Sequence, residues 1–168
     1  MRNILTQLDY IAGNTIIQFT ETDPALLQVD AIVKEQDTNL ILGKSPVIMD
    51  TIENFATLVK KMGQQTRKIP GNVIFKQSIP KRLIAIIYDV EHTLICEESW
   101  IEEVLLNILI LCEGNKIKTL AMPLLGTSYG KLKDITIMQL LQDSLVQNRQ
   151  QHLKKIFIYQ TFTSALHS

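Results

Sequence analysis

Apolar and polar positions follow two rhythms along this chain, and the rhythm switches at turn residues. Short runs rich in β-branched and apolar residues at 4–10, 15–19, 29–33, 72–75, 83–88, 119–122 and 155–159 predict strands. Between the first two, Ala12-Gly13-Asn14 reads as a hairpin turn. Longer stretches at 45–63, 97–113 and 134–150 carry apolar residues at helical spacing. In the first of these, Val47, Ile48, Ile52, Phe55, Val59 and Met62 form one face. Ser45 suits its N-cap, Pro46 its first helical position and Gly63 its end. Gly114 is the expected close of the second helix, and Trp100 is expected in its core face.

Strands alternating with long helices predict an α/β fold, a three-layer α/β/α sandwich around a mixed, largely parallel sheet of about six or seven strands. No repeat, low-complexity tract or linker divides the chain, so residues 1–168 read as a single domain. Ligands in such sheets sit at the carboxyl ends of the strands. Two turns follow strands and open helices there: Gly43-Lys44-Ser45, and Gly126-Thr127-Ser128-Tyr129-Gly130. A glycine-flanked turn leading into a helix offers backbone N–H groups to a phosphate, so a nucleotide-like ligand is the first expectation.

Composition narrows the partners. Hydrophobic residues make up 46% of the 168 positions and charged residues 20%, which suits a compact core rather than disorder. Seventeen lysines and arginines balance seventeen aspartates and glutamates, so no global field draws in nucleic acid or membrane, and neither is an expected partner. The longest apolar run, 104–112, is interrupted by Asn107 and is too short to span a bilayer. No signal-peptide pattern opens the chain, and Cys96 and Cys112 are too few for a disulfide framework, so a cytoplasmic protein is expected. His92 and Cys96, with Glu91, Glu97 and Glu98 beside them, lack a second ligand pair, so no metal and no cofactor is expected. His152 and His167 have no nucleophile or acid pattern near them, and no catalytic triad is visible.

From about Thr15 to Tyr159 the chain resembles the macrodomain family, modules that bind ADP-ribose and related nucleotides. The resemblance rests on Asp23, on Val29-Asp30-Ala31-Ile32-Val33, on the glycine turn at Gly43, and on Met122-Pro123-Leu124-Leu125-Gly126-Thr127-Ser128-Tyr129-Gly130. It implies that Asp23 accepts a hydrogen bond from the adenine amino group. It implies further ligand contacts at Val33, Gly43, Lys44, Ser45 and Val47, and in the second phosphate loop at Gly126, Thr127, Ser128, Tyr129 and Gly130. Tyr129 has two readings, an aromatic that closes over a ribose or stacks on the ligand, or an exposed turn residue.

The departures from the family pattern bear on activity. Thr22 replaces a glycine before Asp23, Lys44, Ser45 and Pro46 fill a run of glycines, and Ser128 stands where a glycine is usual. Lys34-Glu35-Gln36-Asp37 occupies the place of Asn-Ala-Ala-Asn, which puts Asp37 where members that hydrolyse ADP-ribosyl linkages hold the distal ribose with asparagine. Asp37 is the candidate catalytic residue. Its alternative is a solvated residue of a polar loop, 34–37. The resulting expectation is a divergent macrodomain that binds ADP-ribose or a related nucleotide without turnover. Two alternatives stand beside it: an ADP-ribosyl hydrolase using Asp37 and acting on ADP-ribosylated protein, and a protein-interaction module that has lost ligand binding.

Overall fold

The computed structural model describes residues 9–42, 67–90, 94–129 and 131–160. The expected helix at 45–63, the Gly43-Lys44-Ser45 turn, Val47, His92, Gly130 and His167 lie outside the described residues. Eight strands are described: β1 (Tyr10–Ala12), β2 (Thr15–Thr20), β3 (Ala31–Asp37), β4 (Val73–Lys76), β5 (Lys81–Val90), β6 (Leu94–Ile95), β7 (Thr119–Pro123) and β8 (Lys155–Tyr159). Helix α1 is Glu98–Gly114 and helix α2 is Asp134–Gln147. The sheet runs β1-β2-β8-β7-β3-β5-β4, with β6 paired to the far end of β5. Its five central strands, β2, β8, β7, β3 and β5, are mutually parallel, and β1 and β4 close the edges antiparallel. The architecture is an α/β sandwich with a mixed, mostly parallel sheet.

The helices form because their apolar residues share one side. Ile101, Val104, Leu105, Ile108, Leu109 and Cys112 of α1 recur at spacings of three and four and are buried, as are Ile137, Met138, Leu141 and Leu145 of α2. Both helices pack on the sheet face that carries Ala31, Val33, Leu83, Ala85, Ile87, Leu120, Met122, Ile156 and Ile158. The opposite face holds a smaller cluster, Val29, Ile32, Ala121 and Tyr159. None of the described helices is long and apolar enough to cross a membrane. Trp100 is half-buried rather than a core residue. The left-handed residue after α1 is Lys116, φ 52°, rather than Gly114, because Asn115 caps the helix by donating its side-chain N–H to the Leu111 carbonyl.

The hairpin turn is where the sequence places it. Gly13 has φ 59° and lies so close to α2 that a Cβ there would sit 2.5 Å from the Leu145 carbonyl oxygen. Strand β3 departs from expectation. It runs through residues 34–37 instead of ending at Val33, because the ten-residue β5 supplies pairing partners as far as Asp37↔Tyr88, with a bulge between Gln36 and Asp37. Polar composition concealed a strand that stays paired with β5 as far as Asp37.

Asp30, central to the Val-Asp-Ala-Ile-Val run, sits at the amino end of β3, away from the carboxyl ends of the strands. Its Oδ2 accepts the Lys118 and Thr119 amides at 2.8 and 3.3 Å, and its own amide donates to the Thr119 hydroxyl at 2.9 Å. It therefore ties β3 to β7. Asp30→Ala is expected to cost about 1 kcal/mol of unfolding free energy by urea titration, since the site is exposed and water replaces part of the loss. An unchanged midpoint would refute the role.

Candidate functional site

The sheet parts at its carboxyl end. Registered pairing between β3 and β7 stops at Ile32↔Ala121, after which β3 follows β5 while β7 follows β8 to Pro123↔Tyr159. Side chains bridge the opening. The Tyr159 hydroxyl donates to the Val33 carbonyl at 2.7 Å, and Lys34 places Nζ 5.6 Å from the centre of the Tyr159 ring. Burial, with Glu35 and then Asp23 nearby, pushes the Tyr159 phenol above its ordinary range, so it acts as a donor.

The loop after β7 occupies the rim of this opening. Leu124 to Thr127 form a tight turn in which the Thr127 amide and hydroxyl both donate to the Leu124 carbonyl, at 3.3 and 2.7 Å. Gly126 adopts φ 79°, which glycine reaches without strain, and its carbonyl accepts the Leu132 amide at 3.1 Å. Ser128 is half-buried. The Tyr129 ring meets the Tyr88 ring edge to face at 5.8 Å and is half-buried, so it is not a freely exposed turn residue.

Asp23 stands after β2 on an exposed turn. Its Oδ1 accepts the Ala25 amide at 2.9 Å and so caps the short 3-10 turn Pro24–Leu26. Asp37 is 1% exposed, not solvated. Its Oδ1 accepts the Asn39 amide at 2.6 Å and the Ile41 amide at 3.4 Å, and its Oδ2 is buried with no hydrogen-bond partner among the described residues. Gln36 fixes the same turn by exchanging two hydrogen bonds with the Leu42 backbone, at 2.9 and 3.1 Å. These two side chains set the course of the chain from β3 towards Gly43.

Sequence reasoning missed Glu35. Its Oε1 accepts the Gly126 amide at 3.1 Å and its Oε2 accepts the Tyr88 hydroxyl at 3.0 Å. Burial raises this carboxyl to about 7, against the lowering effect of the Gly126 amide and the Tyr88 hydroxyl. Burial and then Glu35 hold the Tyr88 phenol above its ordinary range. The Cys96 thiol, also buried and beside Glu35 and Glu97, is pushed up to about 12 and stays protonated, which removes it as a nucleophile at neutral pH. A signal existed: Ala31, Val33 and Glu35 share one face of a strand by period-two alternation, provided the strand is allowed to continue past Val33. Among the described residues no group of three or more His, Cys, Asp and Glu side chains is placed to hold a metal ion.

No family model matches the sequence, and no curated protein matches it. Solved structures do match. The macrodomain of Thermus aquaticus DarG aligns with TM-score 0.63 at 17% identity, over 86% of this chain and 98% of that one. A mutant of the Oceanobacillus iheyensis macrodomain with ADPR aligns with TM-score 0.65 at 11% identity, over 92% and 90% of the two chains. The Trypanosoma brucei macrodomain in complex with ADP aligns with TM-score 0.60 at 13% identity, over 86% and 64%.

Proposed function

Starting from the macrodomain fold of this chain, in a sequence divergent from the family pattern, we propose that it binds ADP-ribose or a related nucleotide without turning it over. The observation that carries this reading is the Gly126–Tyr129 loop, seated at the carboxyl end of β7 where the sheet opens. Similar solved structures include complexes with ADP and with ADPR. In this reading Asp23 takes the adenine amino group through its carboxylate, while Val33 and Gly126 to Tyr129 line the path of the diphosphate and riboses. Gly43, Lys44, Ser45, Val47 and Gly130 complete the ligand contacts. An ADP-ribosyl group carried on a protein is a second candidate ligand. A cytoplasmic setting fits the two free thiols, Cys96 and Cys112.

The absence of turnover is supported by the commitment of Asp37. One of its oxygens holds turn amides and the other is buried, so the residue fixes the loop leading to Gly43 rather than delivering water to a ribose. The hydrolase reading draws on that same unpartnered Oδ2, and on it Asp37→Ala would abolish release of ADP-ribose from ADP-ribosylated protein. We expect no release from the unaltered protein.

Calorimetric titration with ADP-ribose tests the binding reading. Half-saturation at or below about 1 mM, worth roughly 4 kcal/mol or more, is expected. Asp23→Ala is expected to weaken that binding about tenfold, the effect of one hydrogen bond to a charged acceptor. No heat and no thermal shift at millimolar ligand would leave the interaction-module reading in its place.

A further inference from the structure

The Gly126–Tyr129 loop is gripped from inside the protein. Gly126 donates its amide to Glu35 Oε1 at 3.1 Å. The Tyr88 hydroxyl donates to Glu35 Oε2 at 3.0 Å, and the Tyr88 ring in turn meets the Tyr129 ring edge to face at 5.8 Å. One carboxyl thus holds the Gly126 amide directly and, through Tyr88, backs the Tyr129 ring at the other end of the loop. The Gly126 amide is a group that a glycine loop would otherwise turn towards an oxyanion.

Among the described residues the surroundings of Glu35 supply no compensating charge. Tyr88 faces it from β5, Cys96 from the segment before α1 and Tyr159 from β8, while Glu97 lies beside Cys96 and the Tyr129 ring beside Tyr88. On β3 itself, Lys34 is turned to the Tyr159 ring and Asp37 to the turn after the strand. Among the described residues no lysine, arginine or histidine is ion-paired with Glu35. An ionised Glu35 therefore places a negative charge, with no cationic partner among the described residues, directly behind a loop read as phosphate-binding.

We propose that an anionic ligand binds at the Gly126–Tyr129 loop together with one proton, which Glu35 takes from solvent. The proton adds to a carboxylate oxygen, and no other covalent bond changes. Ionised, Glu35 repels the ligand's charge and competes with it for the Gly126 amide. Neutral, it carries no net charge and is a weaker acceptor, so the amide is released to the ligand. Both effects act in the same direction. Burial already holds the carboxyl near 7, so the two forms coexist close to neutral pH, and a diphosphate beside it raises it further. The family pattern has alanine at this position, so the coupling belongs to this chain's own departure.

This inference rests on the binding reading given above, and ADP-ribose is the probe for both. Its diphosphate stays ionised from about pH 6 to about pH 8.5, so any slope in that range reports the protein. Above neutrality the affinity of the unaltered protein is expected to fall by up to about tenfold per pH unit, while Glu35→Gln binds with a flat profile and more tightly at about pH 8.5. Calorimetry at about pH 8 in two buffers of different ionisation enthalpy should read close to one proton taken up per ligand, and none with Glu35→Gln. Tyr88→Phe removes a donor that favours the ionised carboxyl and should move the fall in affinity to higher pH. Binding with equal pH slopes in the unaltered protein and Glu35→Gln, or without proton uptake, overturns the coupling and leaves the binding reading standing. No binding by either protein at any pH overturns both.

Discussion

Replacing Gly126 with alanine is expected to lower the unfolding free energy by about 2–3 kcal/mol and to remove measurable ADP-ribose binding. Two costs add. The residue has φ 79°, a left-handed conformation that costs a residue with a Cβ roughly 1–2 kcal/mol. The new methyl group would also lie 2.8 Å from Leu132 Cδ1, 3.1 Å from Cys96 Sγ and 3.3 Å from Ile101 Cδ1. The leucine tip can swing away, but Ile101 is a buried residue of the α1 core face, which limits the relief. Any shift of the loop also breaks the Gly126–Glu35 hydrogen bond on which its position depends. Gly114 is the matched control: it lacks a positive φ, and a Cβ there meets nothing within 4 Å. Gly114→Ala should be neutral or stabilise by about 0.5–1 kcal/mol. Urea titrations of the two variants decide the matter, and equal midpoints would refute the strained-loop argument.

The second large effect is a dependence of stability on pH that passes through Glu35. Its value is about 7 in the folded protein against 4.5 for the unperturbed group. Between those values the folded state holds the proton more often than the unfolded state does. The stabilisation from the neutral form is complete below about pH 4.5 and is lost as pH rises through about 7. At about 1.4 kcal/mol per unit the full shift corresponds to roughly 3 kcal/mol, and screening by the solvent that still reaches the partly buried residue reduces this to about 2. Thermal melts at about pH 5 and about pH 8 should therefore separate the unaltered protein by several degrees more than Glu35→Gln, whose uncharged amide can accept the Gly126 N–H with its oxygen and donate its NH2 to the Tyr88 oxygen. Parallel profiles would remove Glu35 as the source. The comparison with Glu35→Gln subtracts every other titrating group.

Much of the architecture was legible because it depends on local pattern. The spacing of Ile101, Val104, Leu105 and Ile108 specifies a helix face wherever that helix packs, and β-branched runs such as Lys155–Tyr159 read as strands from composition alone. The site was legible in part. Gly126 announces its turn because a left-handed residue in a strand-to-helix loop calls for glycine, and the structure bears out that turn. Residues 34–37 were not legible as a strand, since four polar residues carry no apolar period. Only the length of β5 shows that their backbone stays paired. Asp37 looked solvated for the same reason, yet the turn amides it accepts bury it.

The sequence by itself determined the order of the described helices and of every described strand but β6, the hairpin at Gly13 and the glycine loop after β7, because each follows from residues adjacent along the chain. The character of Glu35 was decided only by the tertiary structure. Its two partners lie 53 and 91 residues away, and nothing in the run Lys34-Glu35-Gln36-Asp37 distinguishes one carboxylate from the other. Folding desolvates Glu35 against Tyr88, Gly126 and Cys96 while turning Asp37 into a backbone cap. A carboxyl's charge is set by the solvent it loses and the donors it gains, and both are supplied by the strands and loop that the fold brings to it.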